Sequence, residues 1–367
     1  MKEWEGVAST FWWVYTIDNV RIGSVEGTSF QLQAYVLKKE IPMKITHFNG
    51  SRFSNLDYVP HRNMLEVLKW FLTRSKGEWP SYTEQNAIYD TPPLSVQNDD
   101  IRLSFIGHAT VLIQTQGINI LTDPHWSKKA GPFSLLGPHR VHPAGVKFED
   151  LPKVDVVLIS HNHYDHMDTA TLQKLEQAFK PLFIVPRANE KYLENLIAKE
   201  RIVTLDWWKG HLFKDCLIMC VPVHHWSSRN GFDKNKALWG GFVIKTNQGS
   251  VFFAGDTAFA DGKPFERIYK RCGPMRVALL PIGAYEPREI MQPAHMNPED
   301  AVKAHLLLRA DYSLAIHFEL FAHLTDESYA QPRKDLATAL LQYKEVKDGS
   351  FRALHVGEHW LINANNI

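Results

Sequence analysis

Residues 160–168 read "SHNHYDHMD", placing three histidines and two aspartates in nine positions directly after the apolar run "VDVVLI" at 154–159. A continuous apolar run of this length reads as a strand buried on both faces. The backbone leaving such a strand is held rigidly while its tip stays accessible, and α/β proteins place their chemistry there. His161 and His163, two apart in extended backbone, project to one side. Asp165 and His166 follow where the chain turns toward the next helix. For one histidine, a polar loop meeting water is the ordinary reading. Four ligand-type residues spaced His-x-His-x-Asp-His argue instead for half of a compact two-metal site. Neutral imidazole and carboxylate suit Zn²⁺ best, and Mn²⁺ or iron accept the same donors.

Two neighbouring cations need further ligands and a shared anion. Three more apolar strands end in suitable residues: "CVPVHHW" in His224 and His225, "VFFAGDT" in Asp256, and "SLAIHF" in His317. An aspartate between two cations bridges them and offsets their repulsion, and a water in the same gap loses a proton near neutral pH. Cys216 and Cys220, four apart with no partner pair elsewhere, read as buried apolar residues rather than a thiolate site.

The rest of the composition narrows the classes. A length of 367 residues permits one large domain with extensions. A net charge of +1 gives no broad field to recruit nucleic acid, so no nucleic-acid partner is expected. Three cysteines are too few for a disulfide framework and fit a reducing compartment. No stretch reaches the ~18–20 apolar residues of a spanning helix, and no secretory signal opens the chain. A cytoplasmic protein, soluble or peripherally attached to a membrane, is expected.

Along the chain, residues 1–42 form an extension of unassigned role, with "TFWWVYTI" and the stretch after it predicting a hairpin. Residues 43–98 read as a lead-in packing on the catalytic domain, and 99–367 as that domain. Helices are predicted at 61–74, 169–179, 188–199, 297–309 and 333–344. Hairpin-like strand pairs followed by alternating strands and helices indicate α/β (α+β) architecture, sheets covered by helices.

The ordered set His-x-His-x-Asp-His, His, Asp, His resembles the metallo-β-lactamase superfamily. The longer strings "GHATVLI", "LTDP", "LPKVDVVLISHNHYDH", "LDWW", "FFAGDT", "PIGAYEPR" and "AIHFELFA" narrow the resemblance to the N-acylphosphatidylethanolamine-hydrolysing phospholipase D group and its bacterial relatives. The resemblance runs from about residue 101 to the C-terminus, with a weaker echo in 43–98. It implies an αββα sandwich of two packed β-sheets flanked by helices, and two Zn²⁺ per chain. His161, His163 and His225 would hold one metal; Asp165, His166 and His317 the other; Asp256 would bridge. His225 is taken over His224 because it directly precedes Trp226. The implied reaction is attack of a metal-bridging hydroxide on phosphorus, releasing N-acylethanolamine and phosphatidic acid. Asp165, Asp256 and His295 are assigned to catalysis, and Tyr285, Arg288 and His295 to substrate contact, with a structural ion pair as the alternative for Arg288.

Asp123 in "LTDP" is a candidate to orient a ligand histidine, while His108, His139, His142 and His323 are read as structural. A diacyl substrate implies a membrane surface as partner, for which "TFWWVY" (10–15) and "WSKKAGPFSLLGPHR" (126–140) are candidates. A homodimer is implied by the resemblance alone. A lactonase or phosphodiesterase for small soluble substrates is the rival with the same site.

Overall fold

The computed structural model describes residues 47–57, 64–85, 87–97 and 99–364, with the backbone of three short strands near the N-terminus. Those strands, β1 (Tyr15–Ile17), β2 (Val20–Ile22) and β3 (Tyr35–Val36), pair antiparallel in the order β1-β2-β3, the first two as the predicted hairpin. The aromatic residues 10–14 lie outside the described residues. Helix α1 (Met64–Thr73) precedes the two main sheets.

The first sheet comprises β4 (Ile101–Gly107), β5 (Thr110–Thr115), β6 (Ile118–Thr122), β7 (Val156–Leu158), β8 (Leu182–Pro186) and β9 (Ile202–Leu205). The second comprises β10 (Gly210–Phe213), β11 (Cys216–Val221), β12 (Gly241–Thr246), β13 (Gly249–Phe253), β14 (Met275–Pro281), β15 (Tyr312–Ile316) and β16 (Phe351–Arg352). Strand β17 (His359–Ile362) returns to the first sheet beside β4. Each seven-stranded sheet is antiparallel at one side and parallel at the other, the parallel part running from β6 to β9 and from β13 to β16.

Alternation along the strands decides the layering. Leu103, Val111, Ile113, Ile120, Val156, Leu158 and Ile184 share one core with Ile218, Phe242, Phe252 and Leu279 of the second sheet. Their neighbours Leu112, Leu121, Val157, Phe183 and Val185 face the other way and pack on Leu172 and Leu175 of α2 (Thr169–Phe179). Strands buried on both faces are what the unbroken apolar runs predict. The same inter-sheet core extends to Phe265 and Ile268 of α3 (Lys263–Cys272), Ala301 and Val302 of α5 (Pro298–Leu307), and Leu336 of α6 (Gln331–Gln342). A single turn, α4 (Arg288–Met291), precedes α5. Asn297 and Asp300 cap α5 reciprocally, fixing where that helix starts.

The expected helix at 188–199 does not form; the segment makes 3₁₀ turns at Glu190–Tyr192 and Lys199–Arg201. Asn189 is buried and gives its side-chain amide to the Pro186 and Leu238 carbonyls, a local arrangement that competes with helix geometry. Among the described residues, no helix is long and apolar enough to cross a membrane.

Candidate metal centre

Strand ends of both sheets deliver the candidate ligands to one edge of the sandwich. β7 runs out into Ser160 and His161, β11 into Pro222–His225, β13 into Asp256 and β15 into His317. The strand exits are tight. Gly255 has φ +59°, and a Cβ there would meet the Ser160 side chain at 2.4 Å. His317 (φ 63°) and His108 (φ 56°) also occupy the left-handed region, and the His317 N–H donates to the His108 carbonyl at 2.9 Å. A non-glycine residue in this region costs about 1–3 kcal/mol and persists only where its surroundings hold it.

The predicted residues form two donor groups sharing one carboxylate. In the first, His161 Nε2 lies 2.8 Å and His225 Nε2 3.3 Å from His163 Nδ1, with Asp256 Oδ2 4.0 and 3.7 Å from the first two nitrogens. In the second, Asp165 Oδ2 is 3.4 Å from both His166 Nε2 and His317 Nε2. Asp256 reaches this group too, Oδ2 to His166 Nε2 and Oδ1 to His317 Nε2, each 3.2 Å. His166 Nε2, His317 Nε2 and Asp256 Oδ1 are buried without a hydrogen-bond partner. An unsatisfied buried polar atom costs about 1–3 kcal/mol, so several converging on common points fit cations rather than an apolar interior.

Protonation differs between the two groups. Burial, reinforced for His161 by its histidine neighbours, pushes His161 and His225 well below the usual imidazole range, and burial lowers His163 to about 4. All three are therefore neutral donors. Burial opposes charge on Asp165 and Asp256, yet the surrounding histidines hold both carboxyls well below the usual carboxylate range. Burial likewise works against charge on His166 and His317, but Asp256 and Asp165 outweigh it, raising His166 well above the usual imidazole range and His317 to about 9, so a cation in the second group would displace their protons.

A second layer orients these rings. Asp123 Oδ2 lies 2.6 Å from His166 Nδ1, while the Ser160 N–H and Oγ–H donate to the two Asp123 oxygens at 2.7 and 2.6 Å. Ser160 Oγ in turn is 2.9 Å from His161 Nδ1, and His225 Nδ1 donates to the Ala294 carbonyl at 2.9 Å. With Nδ1 carrying the proton in each case, Nε2 is left free toward the centre.

His225 and not His224 joins a donor group. We expect His225→Ala to lose one metal equivalent and most activity, and His224→Ala to retain both; metal analysis of the two purified variants checks this, and the reverse pattern would exchange their roles.

His295 Nδ1 sits 3.9 Å from Asp256 Oδ2, within reach of the centre. One expectation needs correction, and Arg288 takes its structural alternative. Tyr285 is 2% exposed, and its hydroxyl donates to Asp335, so the phenol is committed inside the fold rather than to a substrate. Arg288 donates to Asp300 at 2.7 Å and to the His295 carbonyl at 3.1 Å, which makes it a brace for the His295 loop. His108, read as structural from sequence, places Nε2 3.0 Å from Asp165 Oδ2 and its ring 4.0 Å from that of His317. Its signal was present: like the ligands, it directly follows a strand. His142 bonds the Tyr329 hydroxyl away from the centre. All three cysteines are free and buried, with burial raising each thiol.

Two mixed sheets packed face to face, helices outside, and a paired histidine–aspartate centre at their edge are the architecture of a metal-dependent enzyme, which its relatives place among the hydrolases. The beta-lactamase superfamily domain family matches residues 118–318, over half of the chain. N-acyl-phosphatidylethanolamine-hydrolyzing phospholipase D 1 of Caenorhabditis elegans is 35% identical over 266 residues, covering 70% of this chain and 74% of that protein. An uncharacterised protein of Mycobacterium tuberculosis is 38% identical over 268 residues, 71% of this chain and 70% of its own length. A diiron β-hydroxylase from Streptomyces venezuelae shares the fold, with TM-score 0.53 at 20% identity over 73% of this chain and 54% of that one. The chain belongs to the metallo-β-lactamase superfamily, and within it resembles the N-acylphosphatidylethanolamine-hydrolysing phospholipases D. Fold alone does not select the reaction, since the Streptomyces neighbour is a hydroxylase.

Proposed function

We propose that the chain hydrolyses N-acylphosphatidylethanolamine to N-acylethanolamine and phosphatidic acid, using two divalent cations, Zn²⁺ foremost. The similarity to the Caenorhabditis elegans enzyme, spanning 74% of that protein, carries this reading. His161, His163 and His225 would hold one cation, Asp165, His166 and His317 the other, and Asp256 both. Bound there, the cations would supply Lewis acidity toward phosphoryl oxygens and lower the pKa of water.

The chain's own residues prepare the reaction. Asp123 and Ser160 fix two rings, His108 steadies Asp165, and Arg288 sets the loop bearing His295. Burial lowers His295 to about 4, so it enters neutral and serves as a hydrogen-bond donor to the phosphodiester rather than as an acid. Water adds to phosphorus, the bond to the ethanolamine oxygen breaks, and that oxygen takes up a proton.

Two exposed apolar groups, taken as a rim beside the centre, support a bilayer-held substrate. Leu65, Leu68, Phe71 and Leu72 of α1 are 54–75% exposed, and Phe133, Leu135 and Leu136 are 63–91% exposed. Both groups are anchored on the loop following His317. Trp70 and Arg74 bond Asp326, while Arg140 and His139 pair with Phe321 and Ala322.

The test is metal-loaded protein on mixed-lipid vesicles, with products identified by mass spectrometry. Release of N-acylethanolamine together with phosphatidic acid is expected; turnover of lactones or small soluble diesters alone would overturn the reading. Burying an apolar side chain contributes about 1.5–3 kcal/mol. Phe133→Asp with Leu136→Asp should therefore weaken vesicle sedimentation by about tenfold or more, while sparing a soluble diester. Unchanged vesicle binding would remove the rim from the proposal.

A further inference from the structure

The segment ahead of the first sheet touches the centre through one side chain. Asn55 Nδ2 donates to the His225 carbonyl at 2.8 Å, and Asn55 Oδ1 accepts from the His225 N–H at 3.2 Å and from Trp239 Nε1 at 3.1 Å. One side-chain amide thus pairs with both backbone groups of a single residue, as a neighbouring strand would. His225 needs such a partner. It lies beyond the end of β11, where the ladder to β12 has stopped at Val221 and Gly241, and backbone groups in a part-buried loop must be satisfied by something.

The same contact reaches one residue further into the loop. Trp239 is 1% exposed and donates Nε1 to the Val223 carbonyl as well, at 3.1 Å, so Asn55 and Trp239 together fix residues 223–225. The His225 ring is held at its far end by Ala294. With backbone and ring both fixed, Nε2 has one direction left, toward His163 Nδ1 and Asp256.

Asn55 is itself held independently of His225. Phe53 is buried in the inter-sheet core and donates its N–H to the Asn235 carbonyl at 2.8 Å. His47 pairs with Asp206 at 2.7 Å, and Asp57 with Arg267 at 2.5 Å. The amide is presented from an anchored strap, not from a loose tail.

We propose that Asn55 is a positioning residue for His225, so that a segment outside both sheets completes one half of the metal centre. The inference rests on the two-metal reading above and deepens it. Partners of metal ligands contribute about 10–100-fold to metal affinity, and the loss should fall on one cation only.

The experiment is a Co²⁺ titration of the full-length apoprotein, followed by its visible spectrum, with amide hydrogen exchange at His225 and the Trp239 indole measured without metal. Wild type should bind two equivalents. Asn55→Ala should keep one and bind the other about 10–100-fold more weakly, with faster exchange at both N–H groups. Asn55→Asp keeps the two accepted bonds and loses the donated one, so it should fall between; it carries the test if Asn55→Ala does not fold. Asp57→Ala breaks one of several anchors of the same strap and leaves Asn55 its own bonds, so it should weaken the same site less than Asn55→Ala does. Two equally tight equivalents in Asn55→Ala would overturn the proposal. A wild type binding fewer than two cations would sink the two-metal reading. In that case unchanged exchange at His225 in Asn55→Ala would refute the positioning role separately, and faster exchange would uphold it.

Discussion

Asp256→Asn should lower turnover by about a thousandfold and leave the protein folded. Asp256 is 3% exposed, and its two oxygens lie within 3.2–4.0 Å of nitrogens from His161, His166, His225, His295 and His317. Five imidazoles converge on one carboxylate, and it is the group common to both donor sets. Asparagine keeps its volume but removes the negative charge that would offset repulsion between the two cations of the proposed centre. Stabilisation of this kind is worth several kcal/mol, and each 1.36 kcal/mol is tenfold in rate, which gives on the order of 10³. Metal retention should fall as well. The check pairs a turnover assay with elemental analysis of the same preparation. A variant with wild-type rate and full metal content would remove Asp256 from the shared position.

How much of this could be read from residues alone follows from where each signal sits. The run "VDVVLI" announced β7 because a strand covered on both faces must be apolar throughout, and the nonapeptide after it crowds ligands too densely for an ordinary loop. His225, Asp256 and His317 were legible for the same reason, each lying just past a strand. Helix α3 escaped because its buried face is narrow; "KPFERIYKRC" sets Phe265, Ile268 and Cys272 among charged neighbours. Strands β9 and β10 are only four residues each and partly exposed, so neither stands out as a buried apolar run.

Tyr285 was misread for another reason: it lies in a string typical of the family, but its partner Asp335 is fifty residues on, so its commitment within the fold was invisible. An ion pair was an open alternative for Arg288, and only the fold names Asp300 as the partner. Asn55 is the converse: it belongs to no ligand pattern, and only the fold brings it to His225. His108 carried the strand-end signal but stood apart from the ordered ligand set, and the fold brings it to Asp165.

Asp123 separates support of the centre from participation in it, and its replacement should behave differently from that of Asp256. The residue is fully buried, and its carboxylate accepts from the Ser160 N–H, the Ser160 hydroxyl and His166 Nδ1. Burial raises its carboxyl above the usual range, against the pull of His166 and Ser160. Asp123→Asn would turn an NH₂ toward at least one of these donors, leaving a buried donor unpaired at about 1–3 kcal/mol and freeing His166 to take the wrong tautomer. A lower melting temperature and a 10–100-fold weaker affinity at the His166 half are expected. Because Asp123 does not face the reacting atoms, saturating metal should restore most of the rate, whereas it should not rescue Asp256→Asn. Turnover of both variants measured across a metal titration makes the distinction. An Asp123→Asn protein that binds metal like wild type would break the link through His166, and one that stays inactive at saturating metal would move Asp123 from the supporting layer into the chemistry itself.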